Sequence, residues 1–146
     1  MIRTDREYKQ SLQTLDEVNK AISAQNEALR EHGLTDEQIA RATAPSMSFR
    51  DQLQEQIERY ERLKRGTIEP LYSLSQLGRF IIGARIATGI SQRELAGKLG
   101  VSETTVSRDE KNEYHGVTID RAQRILEALG VKIKIEIDKP GFKSAA

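Results

Sequence analysis

Between residues 91 and 110 the chain is committed to a sharp bend. Ser91-Gln92-Arg93-Glu94 is a capping box, in which a hydroxyl and a carboxylate each satisfy the other residue's free backbone N–H at a helix start. Leu95, Ala96 and Leu99 follow at helical spacing, then Gly100, then Ser102 as a second helix start. One short helix must therefore end at Gly100 and another, from Glu103 to about Glu110, must begin almost at once. Gly100 supplies the positive φ of so tight a turn. Ala96 is small where the second helix crosses, and Val101 and Val106 are expected to plug the angle between the two. Two short helices joined by a glycine turn need further helices to cover them.

The flanking sequence supplies these. Thr4 and Glu7 form another capping box, and Tyr8, Leu15, Ile22 and Leu29 then recur every seven residues, with Leu12 and Val18 beside them. This long helix is expected to stop near Gly33. A short helix is expected from Thr35 to about Thr43, ended by Ala44-Pro45, and a third from about Ser48 to Gly66, striped by Phe49, Leu53, Ile57, Tyr60 and Leu63. Residues 1–66 thus read as an antiparallel helical hairpin whose apolar seam packs internally or, alternatively, meets a partner. Residues 67–74, with Pro70, read as a linker that Leu71, Tyr72 and Leu74 could pin to either side. A four-helix unit is expected over 75–130. Its last helix is capped by Thr118, lined by Ile119, Ala122, Ile125, Leu126 and Leu129, and closed by Gly130.

Residues 131–137, Val-Lys-Ile-Lys-Ile-Glu-Ile, alternate strictly, which is the pattern of a strand. No other segment reads as a strand, so its backbone groups need a partner from outside the chain. Antiparallel pairing with a second copy, centred on Ile135, sets Lys134 opposite Glu136 and Lys132 opposite Asp138, with Ile133 facing Ile137. Centring on Lys134 opposes two lysines. A strand over 131–138, with Val131, Ile133, Ile135 and Ile137 on one face, is therefore expected to join a homodimer, with 139–146 as a tail. The fold class is mainly α: hairpin, helical bundle and one C-terminal β-strand.

Composition narrows the function. The 146 residues hold no cysteine or tryptophan and two histidines, so thiolate chemistry is excluded and a zinc site is disfavoured. Charged residues make up 31% of the chain and aromatics 5%, as in helices with wide solvated faces. No apolar run approaches the roughly 20 residues that cross a bilayer, and no signal-peptide core follows Met1, so an intracellular soluble protein is expected. Residues 1–66 carry a net charge of −1 and residues 67–146 a net of +2. That asymmetry is too slight to identify a nucleic-acid partner. No nucleophile–base set, glycine-rich phosphate loop or metal cluster is present, so neither an enzyme nor a cofactor is expected.

The spacing of the motifs is specific. Arg85, Gly89-Ile90-Ser91-Gln92, Leu95-Ala96-Gly97-Lys98-Leu99-Gly100-Val101-Ser102, Glu110 and Ala128-Leu129-Gly130-Val131 fall in one register. This stretch, Leu77 to Val131, resembles the Cro/cI-type (lambda-repressor-like, XRE) helix-turn-helix DNA-binding family. The hairpin more loosely resembles the helical extension of some HigA-like antitoxins and related regulators. The first resemblance implies a lambda-repressor-like bundle, double-stranded DNA as partner, and a cytoplasmic, nucleoid-associated regulator, most simply a repressor. It makes Arg85 and Glu110 an ion pair bracing the recognition helix. It places Glu103, Thr104, Thr105, Ser107 and Arg108 toward base edges in the major groove, where Arg108 suits guanine. Phosphate contacts are expected from Gln92, Ser102, Lys111, Asn112, Tyr114 and His115. Tyr114 can instead fold back into the core, and His115 can be a plain exposed loop residue. Two departures stand out: Asp109 replaces an apolar residue, and the loop from Lys111 to Gly116 is about one residue long. The second resemblance implies a toxin as a further protein partner, with DNA binding serving autoregulation.

Overall fold

A computed structural model describes residues 1–136 and 139–141. Its six helices are α1 (Asp5–Glu31), α2 (Asp36–Lys64), α3 (Leu77–Ala87), α4 (Gln92–Leu99), α5 (Glu103–Lys111) and α6 (Ile119–Ala128). Helices α1 and α2 form the antiparallel hairpin, and α3 to α6 form the bundle. No strand occurs among the described residues.

Local chemistry accounts for most helix boundaries. Thr4, Thr35, Ser91, Ser102 and Thr118 each accept a hydrogen bond from the backbone N–H three residues on. At Thr35 and Ser91 the box is reciprocal. At Thr4 it is not: the Glu7 carboxylate accepts from the N–H of Arg3 at 2.7 Å and from the Arg3 guanidinium at 2.7 Å. The box is thereby turned into a clamp on the residue before the cap. Gly100 takes φ +67°, as the turn between α4 and α5 demands.

Four expectations need correction. Pro45 does not end a helix, because α2 runs through it unbroken from Asp36 to Lys64. A proline at this depth removes one ladder hydrogen bond and crowds the carbonyl four residues back. The helix persists because its flanks are held on α1: Ile39 and Thr43 are buried before Pro45 and Ile57, Tyr60 and Leu63 after it. Ile119 is 80% exposed, since the whole first turn of α6 lies outside the core. Val101 is 39% exposed, and Val106, at 2%, fills the angle between α4 and α5 without it. In the linker, Ile68 and not Tyr72 or Leu74 packs on the core.

The core joins hairpin and bundle. Ile2, Ile57, Tyr60 and Leu63 belong to one apolar cluster with Ile81, Ile82, Leu95, Val106, Tyr114, Ile125 and Leu126. Gly83 shows how close α3 lies to α2: a Cβ there would stand 3.2 Å from the Leu63 side chain. Tyr8 and Tyr60 stack with ring centroids 5.2 Å apart. Their hydroxyls donate across the hairpin base, Tyr8 to Glu61 at 2.7 Å and Tyr60 to Asp5 at 2.9 Å.

Residues 131–136 make no strand ladder with any of the described residues, and Ile133 and Ile135 are 44% and 79% exposed. Ile137 and Asp138, expected in the same strand, lie outside the described residues.

Candidate nucleic-acid interface

One buried charge network orients α5. Glu110 is 1% exposed and Arg85 4%. The Arg85 guanidinium forks onto the Glu110 carboxylate, through Nε and through Nη2 at 2.8 Å. Its Nη1 donates to the Ile90 carbonyl at 2.9 Å, and Nη2 also to the Arg3 carbonyl at 2.8 Å. Gln92 Nε2 donates to Glu110 Oε2 at 2.7 Å. The planar fork fixes the end of α5 against α3, and the glutamine ties both to the start of α4. Arg85 and Glu110 therefore form the bracing pair, with Gln92 as a third member.

The commitment of its side-chain nitrogen changes what Gln92 can offer a phosphate. One of its two amide hydrogens is thereby committed, and beside the other the start of α4 still offers the first-turn backbone N–H groups that Ser91 does not cap. Ser102 is likewise used internally: its hydroxyl accepts from the Thr105 N–H at 3.1 Å and lies 2.8 Å from the Thr105 hydroxyl.

The outward face of α5 carries Glu103, Thr104 and Arg108, all exposed, with Thr105 and Ser107 half-buried beside them. Arg108 has no side-chain hydrogen bond or ion pair among the described residues. Formal charges make residues 103–110 acidic, but two of the three carboxylates are neutralised. Glu110 is bound by Arg85, and Asp109 accepts from Arg121 of α6 at 2.5 Å. What faces solvent is Glu103 against Arg108 and Lys111, a net positive surface. Asp109 thus does not oppose a polyanion; it links α5 to α6.

Lys111, Asn112 and His115 are exposed at the end of α5, where they are free to meet a phosphate. Tyr114 is not: it is 5% exposed, inside the core cluster. Of the two roles open to it in the sequence, the structure places it for packing. Glu113 and Tyr114 both adopt left-handed backbone, φ 49° and 52°, and this turns the tyrosine inward. The loop is seated on α3. A Cβ at Gly78 would stand 1.8 Å from the Glu113 carbonyl oxygen, and Arg79 donates to the Glu113 carboxylate at 2.9 Å. The Tyr114 hydroxyl has no hydrogen-bond partner among the described residues, and burial, followed by the charge of Glu110, holds it above the ordinary tyrosine range.

Sequence reasoning missed Gly78, the Asp109–Arg121 pair and the contact between Arg3 and Arg85. All three join segments far apart in the chain, so no local periodicity announces them.

A bundle that braces a short helix by its buried end and leaves its outer face to solvent has the arrangement of a helix-turn-helix. Residues 81–135 match the family model described as Helix-turn-helix, which supports the Cro/cI-type XRE resemblance of this stretch. The match supports DNA binding of the XRE regulator type for these residues. No curated protein and no solved structure matches the chain. Among the described residues no helix is long and apolar enough to cross a membrane, and no cluster of His, Cys, Asp or Glu could hold a metal ion.

Proposed function

We propose that the protein is a sequence-specific regulator that represses transcription by occupying an operator in double-stranded DNA. The observation that carries this reading is the Arg85–Glu110–Gln92 network, which holds α5 rigid while Glu103, Thr104 and Arg108 stay exposed. In this reading Arg108 takes a guanine edge, Glu103 a cytosine amine, and Thr104, Thr105 and Ser107 the neighbouring bases. Lys111, Asn112 and His115, with the backbone N–H groups at the starts of α4 and α5, grip phosphates.

The protein acts as a dimer in this proposal, joined through residues 131–137. The exposed isoleucines at 133 and 135 support it, as does a backbone that pairs with nothing else described. Two recognition helices then lie about one DNA turn, ~34 Å, apart.

Selection of duplexes from a random pool tests the reading, followed by binding of the chosen sequence at several salt concentrations. Arg108→Ala should relax specificity at one base position, whereas Lys111→Ala should weaken all sequences alike and lower the salt slope by about one. Failure of the wild-type protein to enrich any sequence would remove the proposal. A monomeric mass by light scattering at micromolar concentration would remove the dimer alone.

One surface favours a second role, that of an antitoxin whose hairpin binds a toxin. Val18, Ala21 and Ile22 of α1 face Pro45 and Phe49 of α2 across a shallow groove in the hairpin, and Phe49 is 52% exposed. Co-purification of a protein encoded beside this one, lost in Phe49→Asp, would support it.

A further inference from the structure

The three residues before α1 do more than start a helix. Ile2 is 5% exposed in the core shared by hairpin and bundle. Met1 and Ile2 line one groove with Arg79 and Glu113, just beyond the C-terminal end of α5. Arg3 lines another with Ser91, Gln92 and Glu103, at the starts of α4 and α5. The segment therefore reaches the surroundings of both ends of the recognition helix, on the side where that helix is tied to the core.

Its contacts form a continuous relay. The Glu7 carboxylate holds the Arg3 N–H at 2.7 Å and the Arg3 guanidinium at 2.7 Å. The Arg3 carbonyl, so fixed, accepts from Arg85 at 2.8 Å. Arg85 holds Glu110, and Glu110 holds Gln92. Each link is a hydrogen bond with at least one charged partner, the kind whose geometry is most exacting.

We propose that residues 1–3, pinned by Glu7 and anchored by Ile2, are a positioning element of the recognition helix, so that the hairpin helps to set which sequence is read. This rests on the DNA-reading role above. Without the strap, Arg85 keeps Glu110 but loses one of its acceptors and the packing behind it. Helix α5 then samples small rotations that misplace Arg108 and Thr104 while leaving phosphate contacts reachable. Base readout requires closer placement than backbone attraction does, so specificity should fall before affinity.

The test compares binding of the full-length protein to its selected duplex and to a random duplex of equal length. Glu7→Ala, at a partly exposed side chain, removes the clamp, and Ile2→Ala removes the anchor. Ile22→Ala makes the same apolar truncation in the hairpin at a residue outside the shared core cluster. The first two should lose about tenfold on the selected duplex and under twofold on the random one, and Ile22→Ala should change neither. If Ile2→Ala fails to fold, Glu7→Ala carries the comparison by itself. Equal loss on both duplexes, or wild-type discrimination in Glu7→Ala, overturns the inference while the DNA reading stands. A wild-type protein that discriminates between no duplexes overturns both.

Discussion

The Tyr114 hydroxyl lies within the core with no hydrogen-bond partner among the described residues, a few residues from the network that orients α5. A buried hydroxyl that no protein group pairs costs about 1–3 kcal/mol. Tyr114→Phe keeps the ring and should raise stability by ~1 kcal/mol in urea titration. The same group has a pH signature. Its folded pKa is raised, so the fold resists its ionisation: stability is independent of this group's titration below the unfolded value of about 10 and falls as pH climbs beyond it. Wild-type protein should therefore lose stability in the alkaline range, and Tyr114→Phe should lose less. Glu110 is the opposite case, a buried charge with every neighbour arranged for it. Glu110→Ala leaves the Arg85 guanidinium unpaired at 4% exposure and should cost about 3–5 kcal/mol, read as a lowered urea midpoint.

At the scale of elements, two proline and glycine positions carry opposite lessons. Pro45 sits in the interior of α2 and forfeits a hydrogen bond to the Arg41 carbonyl, a penalty of about 3 kcal/mol in an isolated helix. Pro45→Ala should stabilise the hairpin by up to that amount, seen as a higher melting temperature. The local signal of a break at Ala44-Pro45 was sound chemistry, overridden because Ile39, Thr43, Ile57 and Tyr60 are buried on either side of it. Gly78 has no turn to serve, yet the Glu113 carbonyl occupies the place of its Cβ. Gly78→Ala should displace the loop that carries Tyr114 and cost about 2 kcal/mol or more, with loss of tertiary circular dichroism as the measure. By contrast, the starts of α1, α4, α5 and α6 were legible, because a Ser or Thr and the N–H three residues on are settled within one turn.

For the whole molecule, the decisive feature is the shared core. Ile2, Ile57, Tyr60 and Leu63 from the hairpin complete a cluster that α3 to α6 would otherwise leave open. Hairpin base and bundle should therefore unfold together, in one calorimetric transition with equal calorimetric and van't Hoff enthalpies. Ile22 and Ile39 lie outside that cluster, so hydrogen exchange should show the hairpin's far end opening first.

Periodicity, caps and glycine stops suffice to place α1 and α4 to α6, while α3 and the reading of the bend come only from the family resemblance of Leu77 to Val131. These features act over one or two helical turns, where neighbours in sequence are neighbours in space. The passage of α2 through Pro45, the inward turn of Tyr114, the pairing of Asp109 with Arg121 and the docking of Arg3 on Arg85 all depend on segments brought together from up to 82 positions apart. No local pattern encodes which distant surface will offer a carbonyl or a counter-charge. Only the packed chain brings those groups within hydrogen-bonding reach.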